Sequence, residues 1–154
     1  MSEPAQTELT RRMMRTYTFQ ILYAYYAFEG AASLESIIDN INRDPDAEVQ
    51  IPLDGEVFKT AQMIIDDGPE LDIFIQPLLA NWRLDRIGFC TRLILHMGVW
   101  ELKYLPTPVQ VVINECVELA KCFLEDDAYR FINGVLDEAA KRLDRPVEPY
   151  ESVE

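Results

Sequence analysis

The sequence has few of the residues that catalytic and metal sites require. It contains one histidine, His96, and three cysteines, Cys90, Cys116 and Cys122, among 154 residues. His96 lies in an apolar stretch where a structural role is expected, and Cys90, six residues before it, would face another side of a helix, which leaves no nucleophile–histidine pair. Cys116 and Cys122 would also diverge on a helix and cannot share a metal ion. We therefore expect no catalytic residues, no metal, no cofactor and no enzymatic activity.

Long hydrophobic runs are also missing. The longest unbroken apolar run, residues 21–28, has 8 residues, whereas a membrane-spanning helix needs about 20. The first ten residues are polar and acidic, unlike a signal peptide. An odd number of cysteines without regular spacing is typical of reduced thiols. These features predict a cytoplasmic protein that has no membrane span.

Positive charge is scarce and unevenly distributed. The chain has 14 basic and 27 acidic residues, a net charge of -13, which argues against bulk electrostatic binding of nucleic acid. Residues 29–80 hold 12 acidic residues and 2 basic ones, but they lack the DxDxDG spacing of a calcium loop. Residues 1–28 hold three arginines against two glutamates. Such a local cluster can still make specific phosphate contacts.

Helical periodicity dominates the chain and predicts an all-α domain. We expect the first helix over 8–29, with Thr7 as its N-cap and Gly30 as its stop, and a second over 34–42 behind Ser33. The other helices are expected over 54–67, 69–77, 85–104 and 107–123 and after 127. Proposed caps are Asp54 for the third helix, a Thr107–Gln110 capping box for the sixth and Asp126 or Asp127 for the last. Residues 1–7 and 146–154 are expected to be flexible.

The first helix carries two stripes at helical spacing. The predicted core stripe consists of Met14, Tyr17, Ile21, Tyr25 and Phe28. A neighbouring stripe is cationic at its start and aromatic further along, and consists of Arg12, Arg15, Phe19, Tyr23 and Tyr26. Guanidinium groups and aromatic rings together are typical of single-stranded RNA recognition. The alternative is that these rings pack against other helices and the arginines are solvated.

Gly134 is unusual because it lies inside the otherwise apolar last helix, directly after Asn133. Glycine costs about 1 kcal/mol relative to alanine in a helix interior. We therefore expect close packing or a close backbone approach at Gly134.

Five segments resemble the NusB family in order and spacing. They are RRMMRTYTFQILY at 11–23, NWRLDR at 81–86, VWEL at 99–102, PVQVVINECVELAKCF at 108–123 and FINGVLDEAAK at 131–141. The resemblance implies a compact domain of about seven helices in two packed bundles over residues 8–145, without enzymatic activity. NusB proteins bind the boxA element of ribosomal RNA transcripts together with NusE, a small-subunit ribosomal protein. That complex helps RNA polymerase to resist termination.

The resemblance also assigns roles to positions of this chain. The positions that match RNA-contacting residues are Arg11, Arg12, Arg15, Gln20, Arg130, Phe131 and Asn133. The positions that match partner-facing residues are Tyr23, Asp85 and Thr91, and Asp127 is placed with them at a position that modulates RNA affinity in the family.

The sequence departs from the family pattern at several positions. Met13 stands where a further basic residue is often found, His96 replaces an arginine, and Thr91 replaces a glutamate of some members. The acidic composition and these departures together leave an alternative open. In this alternative the chain is a NusB-like protein-interaction module with weak or lost RNA binding. A third interpretation is the NusB-like domain that precedes some RNA cytosine methyltransferases. The resemblance leaves open whether the free protein is a monomer or a homodimer.

Overall fold

The computed structural model describes residues 8–145 and contains seven α-helices and no β-strand in that range. The helices are α1 (Arg11–Ala27), α2 (Leu34–Asn42), α3 (Glu56–Asp66), α4 (Gly68–Ile75), α5 (Phe89–Tyr104), α6 (Val109–Phe123) and α7 (Ala128–Arg142). Two short 3-10 helices, Gln76–Leu79 and Leu84–Arg86, follow α4. The all-α prediction is confirmed. The predicted flexible ends, 1–7 and 146–154, lie outside the described residues.

The chain divides into two compact units, unit 1 (Met1–Ile65) and unit 2 (Asp66–Glu154). No helix among residues 8–145 is both long and apolar enough to cross a lipid bilayer.

In unit 1, capping side chains determine where the helices begin. Thr10, and not Thr7, is the N-cap of α1: its hydroxyl accepts a hydrogen bond from the Met13 amide at 3.1 Å, so the predicted start of this helix was wrong by three residues. Ser33 caps α2 in the same way, as predicted. After α1 the chain reverses at Gly30, whose φ of +76° favours glycine, and its amide donates to the Tyr25 carbonyl at 2.9 Å.

The core of unit 1 joins α1, α2, α3 and the loop before α3. Its largest fully buried side chains are Ile21, Leu22, Ile38, Ile51 and Ile64. The Asn42 side chain fixes the loop, because its Nδ2 donates to the Ile51 carbonyl at 2.9 Å and its Oδ1 accepts from the Ile51 amide at 2.8 Å. The end of the predicted loop between α2 and α3 is therefore anchored to α2 by this amide side chain.

In unit 2, α5 packs against α4, α6 and α7, and α6 packs against α7. All residues of α5 from Leu93 to Trp100 are buried. Gly98 permits the close approach of α6 and α7, because a Cβ atom there would lie 2.8 Å from Leu136 Cδ2 and 3.0 Å from Cys116 Sγ.

Three further predicted helix starts in the chain were wrong. Helix α5 begins at Phe89, after Gly88 with φ of +94°, and not at Asp85. Helix α3 begins at Glu56, two residues after the proposed cap Asp54. Helix α6 has no Thr107–Gln110 capping box; its N-cap is Pro108, which provides no side-chain hydrogen bond.

Candidate nucleic-acid interface

The first two turns of α1 present the arginine cluster. Arg11 and Arg12 are exposed, Arg15 is partly exposed, and Gln20 is partly exposed two turns further along. The first turn of α1 contains no acidic residue, so no carboxylate there offsets the positive end of the helix dipole. The arginines and the helix terminus therefore present positive charge in an otherwise acidic unit.

The first arginine of this cluster has an anionic partner on another helix. Arg11 forms an ion pair with Glu56 at the start of α3, and the side chains are 71% and 52% exposed. Exposed ion pairs contribute only about 0–1 kcal/mol. The Arg11–Glu56 pair therefore contributes little to stability.

The aromatic stripe of α1 is divided between core and surface. Phe19 is 3% exposed and belongs to the core, whereas Tyr23 is 45% exposed; their ring centroids are 6.5 Å apart. Tyr26 is partly buried and meets the Tyr25 ring edge-on at 5.2 Å. The packing alternative is therefore correct for Phe19, and Tyr23 is the ring of this stripe that reaches the surface most fully.

The predicted core stripe of α1 was largely wrong. Of its five members only Ile21 is buried, and Phe28 is 60% exposed. The buried residues of α1 are Thr18, Phe19, Ile21 and Leu22.

The second part of the predicted RNA site lies in unit 2, at the start of α7. Arg130 and Asn133 are exposed and Phe131 is partly buried. Asp127 adopts a left-handed conformation with φ of +76°, and its carboxylate lies 3.8 Å from Arg130 Nε. A hydrogen bond from Arg130 Nε to the Tyr129 hydroxyl, 3.4 Å long, raises the pKa of this guanidinium.

The predicted partner residues differ in their accessibility. Tyr23 lies in unit 1, whereas Asp85 and Thr91 lie in unit 2. Asp85 is exposed and forms an ion pair with Arg83 at 2.9 Å. Thr91 is only 7% exposed, so little of its surface is available to a partner.

Sequence reasoning missed a charged cluster between α4 and α5. Asp72 accepts hydrogen bonds from both Arg92, one of them at 3.2 Å, and His96, at 2.6 Å. Burial raises the pKa of Asp72, but the hydrogen bonds from Arg92 and His96 outweigh burial and lower it overall. The spacing of Arg92 and His96, one turn apart on α5, was the only available signal, since Asp72 is 20 and 24 residues away from them.

His96 has the structural role that the sequence indicates. Its side chain is 3% exposed, and burial lowers its pKa in spite of the hydrogen bond with Asp72. Its Nδ1 atom is buried without a hydrogen-bond partner. Protonation would place an N–H donor there without an acceptor, which is costly in a protein interior, so the geometry and the pKa both indicate a neutral ring.

The thiols and carboxylates of the described chain form no candidate metal centre. Among residues 8–145 no group of three or more His, Cys, Asp or Glu side chains is placed to hold a metal ion. The three cysteines are not joined in disulfides: Cys116 is buried, Cys122 is exposed, and burial raises the pKa of the partly buried Cys90.

Comparison with known proteins shows that the chain is similar to NusB proteins over most of its length. The model of the NusB family matches residues 12–141. A transcription antitermination protein NusB from Staphylococcus carnosus is 37% identical over 129 residues, which cover 83% of this chain and 97% of the relative. Its counterpart from Staphylococcus aureus is 34% identical over 134 residues, 86% of this chain and 100% of the relative.

Two solved NusB structures are similar to this chain in fold. The structure of T. maritima NusB has a TM-score of 0.73 and 27% identity, and the match covers 88% of this chain and 93% of that one. The solution structure of NusB from Aquifex aeolicus has a TM-score of 0.64 at 24% identity, covers 94% of this chain and 98% of that one, and supports the fold.

Proposed function

Because the chain belongs to the NusB family, we propose that it is a transcription antitermination factor that binds boxA-type RNA of ribosomal RNA transcripts together with NusE. It acts without catalysis and without a cofactor, in the cytoplasm, as part of an antitermination complex with RNA polymerase. The observation that carries the RNA-binding proposal is the exposed arginine cluster at the start of α1. It is the one concentration of positive charge in the first 80 residues of an otherwise acidic sequence.

The contacts of these side chains support a role in phosphate binding. Arg11 and Arg12 are exposed, and the partner of Arg11 is an exposed carboxylate that a phosphate can displace. Guanidinium groups bind phosphate oxygens in a bidentate manner. Gln20 on α1 and Arg130, Phe131 and Asn133 on α7 are proposed as further RNA contacts, on the basis of the family match.

Replacing Arg11, Arg12 and Arg15 together with alanine tests the phosphate contacts. We expect weaker binding of a boxA-type RNA in the presence of NusE and unchanged helicity by circular dichroism. Three lost phosphate contacts would also reduce the salt slope of the affinity by about 2, since each contact on a single strand contributes about 0.7.

The matched control variant removes three cations elsewhere. Arg43, Lys59 and Arg142 are exposed, and their replacement with alanine changes the net charge by the same amount. If both triple variants weaken binding equally, net charge and not the α1 surface governs affinity, and the proposed site is wrong.

The requirement for a partner is proposed from the acidic composition. With a net charge of -13, the isolated protein repels RNA at long range, and a basic partner docked near Tyr23 and Asp85 would add positive charge and contact area. Titration of labelled RNA with the protein, with NusE and with both tests this. If the mixture binds no more tightly than NusE alone, the RNA-binding proposal fails and the chain is better described as a protein-interaction module.

A further inference from the structure

Two cations from different helices lie against the ring of Tyr129 at the start of α7. Lys121 Nζ, on α6, is 5.0 Å from the ring centroid, and Arg130 Cζ is 5.8 Å from it. The ring itself is partly buried. Both cations are within the range in which a cation is attracted by an aromatic ring. The ring is therefore held in place by its neighbours and still reaches the surface.

The carboxylates that hold these two cations hold them weakly. Lys121 Nζ is 3.6 Å from Glu118, and Arg130 Nε is 3.8 Å from Asp127. All four side chains are at least 50% exposed. Exposed pairs at these distances contribute little, so the carboxylates would not prevent a phosphate from approaching either cation.

A second lysine–tyrosine pair in unit 2 shows what is particular to Tyr129. Lys103 Nζ lies 5.0 Å from the Tyr104 centroid, the same distance as in the pair on α6 and α7. Tyr104 lies at the end of α5 and is 52% exposed. Tyr129 differs because it has a second cation, Arg130, beside it in the chain and lies next to the proposed RNA contacts.

We propose that Tyr129 is a nucleobase-stacking residue of the RNA site and that Lys121 binds an adjacent phosphate. This inference rests on the proposed function and deepens it. A base has a π-face that an aromatic ring can stack on whatever the sequence, and the accessible part of the partly buried Tyr129 ring is available to a base once Arg130 moves.

The proposal implies the following exchange of contacts when RNA binds. A backbone phosphate draws Arg130 away from Asp127 and from the Tyr129 ring. A base then takes the place of the guanidinium on that ring, while Lys121 remains on the ring and reaches the next phosphate. Lys121 extends the RNA surface from α7 onto α6, where the sequence resemblance assigned no RNA contact.

Tyr129→Ala and Tyr129→Phe separate stacking from the hydroxyl contact. In the presence of NusE we expect Tyr129→Ala to weaken binding of boxA-type RNA by about 5- to 150-fold, the range for loss of one stacked base. Tyr129→Phe keeps the ring and should remain within about twofold of the unchanged protein, since the proposed role needs only the ring face. Tyr104→Ala is the matched control and should leave the affinity unchanged. Equal effects of Tyr129→Ala and Tyr104→Ala would overturn the proposal.

The salt dependence of RNA binding distinguishes the proposed role of Lys121 from that of Tyr129. Lys121→Ala should lower the salt slope by about 0.7, the value for one phosphate on a single strand, whereas Tyr129→Ala should leave the slope unchanged because a stacked base carries no charge. Lys103→Ala is the control for Lys121. An unchanged slope for Lys121→Ala would show that this lysine does not bind phosphate.

Two further measurements keep the test decisive if Tyr129→Ala folds poorly. Tyr129→Leu keeps much of the apolar volume without a π-face, and it should bind RNA as weakly as Tyr129→Ala does. In the unchanged protein, RNA that carries 4-thiouridine should crosslink under ultraviolet light to the peptide that contains Tyr129. Absence of that crosslink in a complex that forms normally contradicts stacking.

The outcome also distinguishes this inference from the proposed function. If the unchanged protein binds RNA and the triple arginine variant of α1 does not, while all Tyr129 variants bind normally, the function stands and the stacking role is wrong. If the unchanged protein does not strengthen RNA binding by NusE, both are wrong.

Discussion

His96 is a buried side chain whose burial determines its protonation state. Its Nε2 atom lies 2.6 Å from Asp72 Oδ1, and its Nδ1 atom has no partner. The nearby charges are Asp72 and Arg92, which form the cluster, and Asp67, which favours the charged ring. Burial outweighs both carboxylates, so the pKa of His96 lies below 6.5 in the folded protein. The neutral ring then donates through Nε2 and leaves a lone pair, not a proton, at Nδ1.

This protonation state predicts a pH dependence of stability. As the pH falls through 6.5, the unfolded chain gains a proton at this histidine before the folded chain does. The stabilisation is therefore complete above about pH 6.5 and is lost as the pH falls toward the folded pKa. Urea unfolding at pH 7.5 and pH 5.8 should show a lower free energy of unfolding at the lower pH. His96→Gln can still donate to Asp72 and should show a smaller decrease.

Nuclear magnetic resonance provides an independent check of the same pKa. The chain has a single histidine, so its Cε1–H resonance is unambiguous in a pH titration. A midpoint at or above pH 6.5 would contradict the neutral, buried ring.

The sequence could indicate that His96 is structural but not why. Its position in an apolar stretch predicted burial, whereas Asp72 lies on another helix, 24 residues earlier. Only the packing of α4 on α5 brings the two together. The same limit applies to Phe19: two adjacent apolar faces of α1 follow from the spacing, but the face that is buried depends on the other helices of the unit.

At the scale of helices, the existence of each element was easier to predict than its first residue. Thr7 and Thr10 are both acceptable N-caps by residue type, and the hydrogen bond to Met13 is formed only by the second. Helix α5 begins after Gly88 because that residue adopts a positive φ, which breaks a pattern that looks continuous from Asp85. Local capping geometry therefore decides boundaries that periodicity leaves open.

Two helical glycines have opposite packing environments. At Gly98 a Cβ atom would lie 2.8 and 3.0 Å from the two δ-carbons of Leu136, which is fully buried. At Gly134 no atom lies within 4 Å of the position of a Cβ atom, and the residue is exposed. The expectation that close packing requires glycine at 134 was therefore wrong, and Gly98 is the position where helices approach closely.

Alanine substitutions at these glycines should have opposite effects. Gly98→Ala should lower the free energy of unfolding by about 1–3 kcal/mol, the cost of overpacking a core. Gly134→Ala should raise it by about 1 kcal/mol, because alanine is the better helix former where no clash occurs. Thermal and urea unfolding of both variants measures this. A loss of stability in Gly134→Ala equal to that in Gly98→Ala would contradict the packing described for α7.

At the scale of the whole molecule, the proposed RNA contacts differ in how far the sequence could predict them. Exposure of the α1 arginines was predictable, since a charged cluster at helical spacing rarely faces a core. The roles of Arg130, Phe131 and Asn133 came only from resemblance to a family, because an arginine and an asparagine at the start of a helix have no distinctive pattern. The Lys121–Tyr129 contact joins two helices and could not be seen in the sequence.

The acidic charge of the whole chain opposes the local attraction of the α1 cluster for RNA. Glu29, Asp46 and Glu48 are exposed carboxylates in the same unit as that cluster. We expect their joint replacement by Gln, Asn and Gln to strengthen RNA binding by the protein alone at 50 mM salt by less than about threefold. A charge about 20 Å from a bound phosphate contributes about 0.2 kcal/mol at the dielectric constant of water without salt, and a Debye length between about 10 and 30 Å reduces this contribution.

Salt distinguishes this long-range effect from a new contact. The Debye length falls to about 3 Å at 1 M salt, so the variant and the unchanged protein should then bind RNA equally in the same titration. A difference that persists at 1 M salt would mean that the substitutions act through the structure of unit 1. Equal binding at 50 mM salt would mean that the acidic surface does not limit RNA affinity, and the weak binding expected of the isolated protein would then need a cause within the site itself.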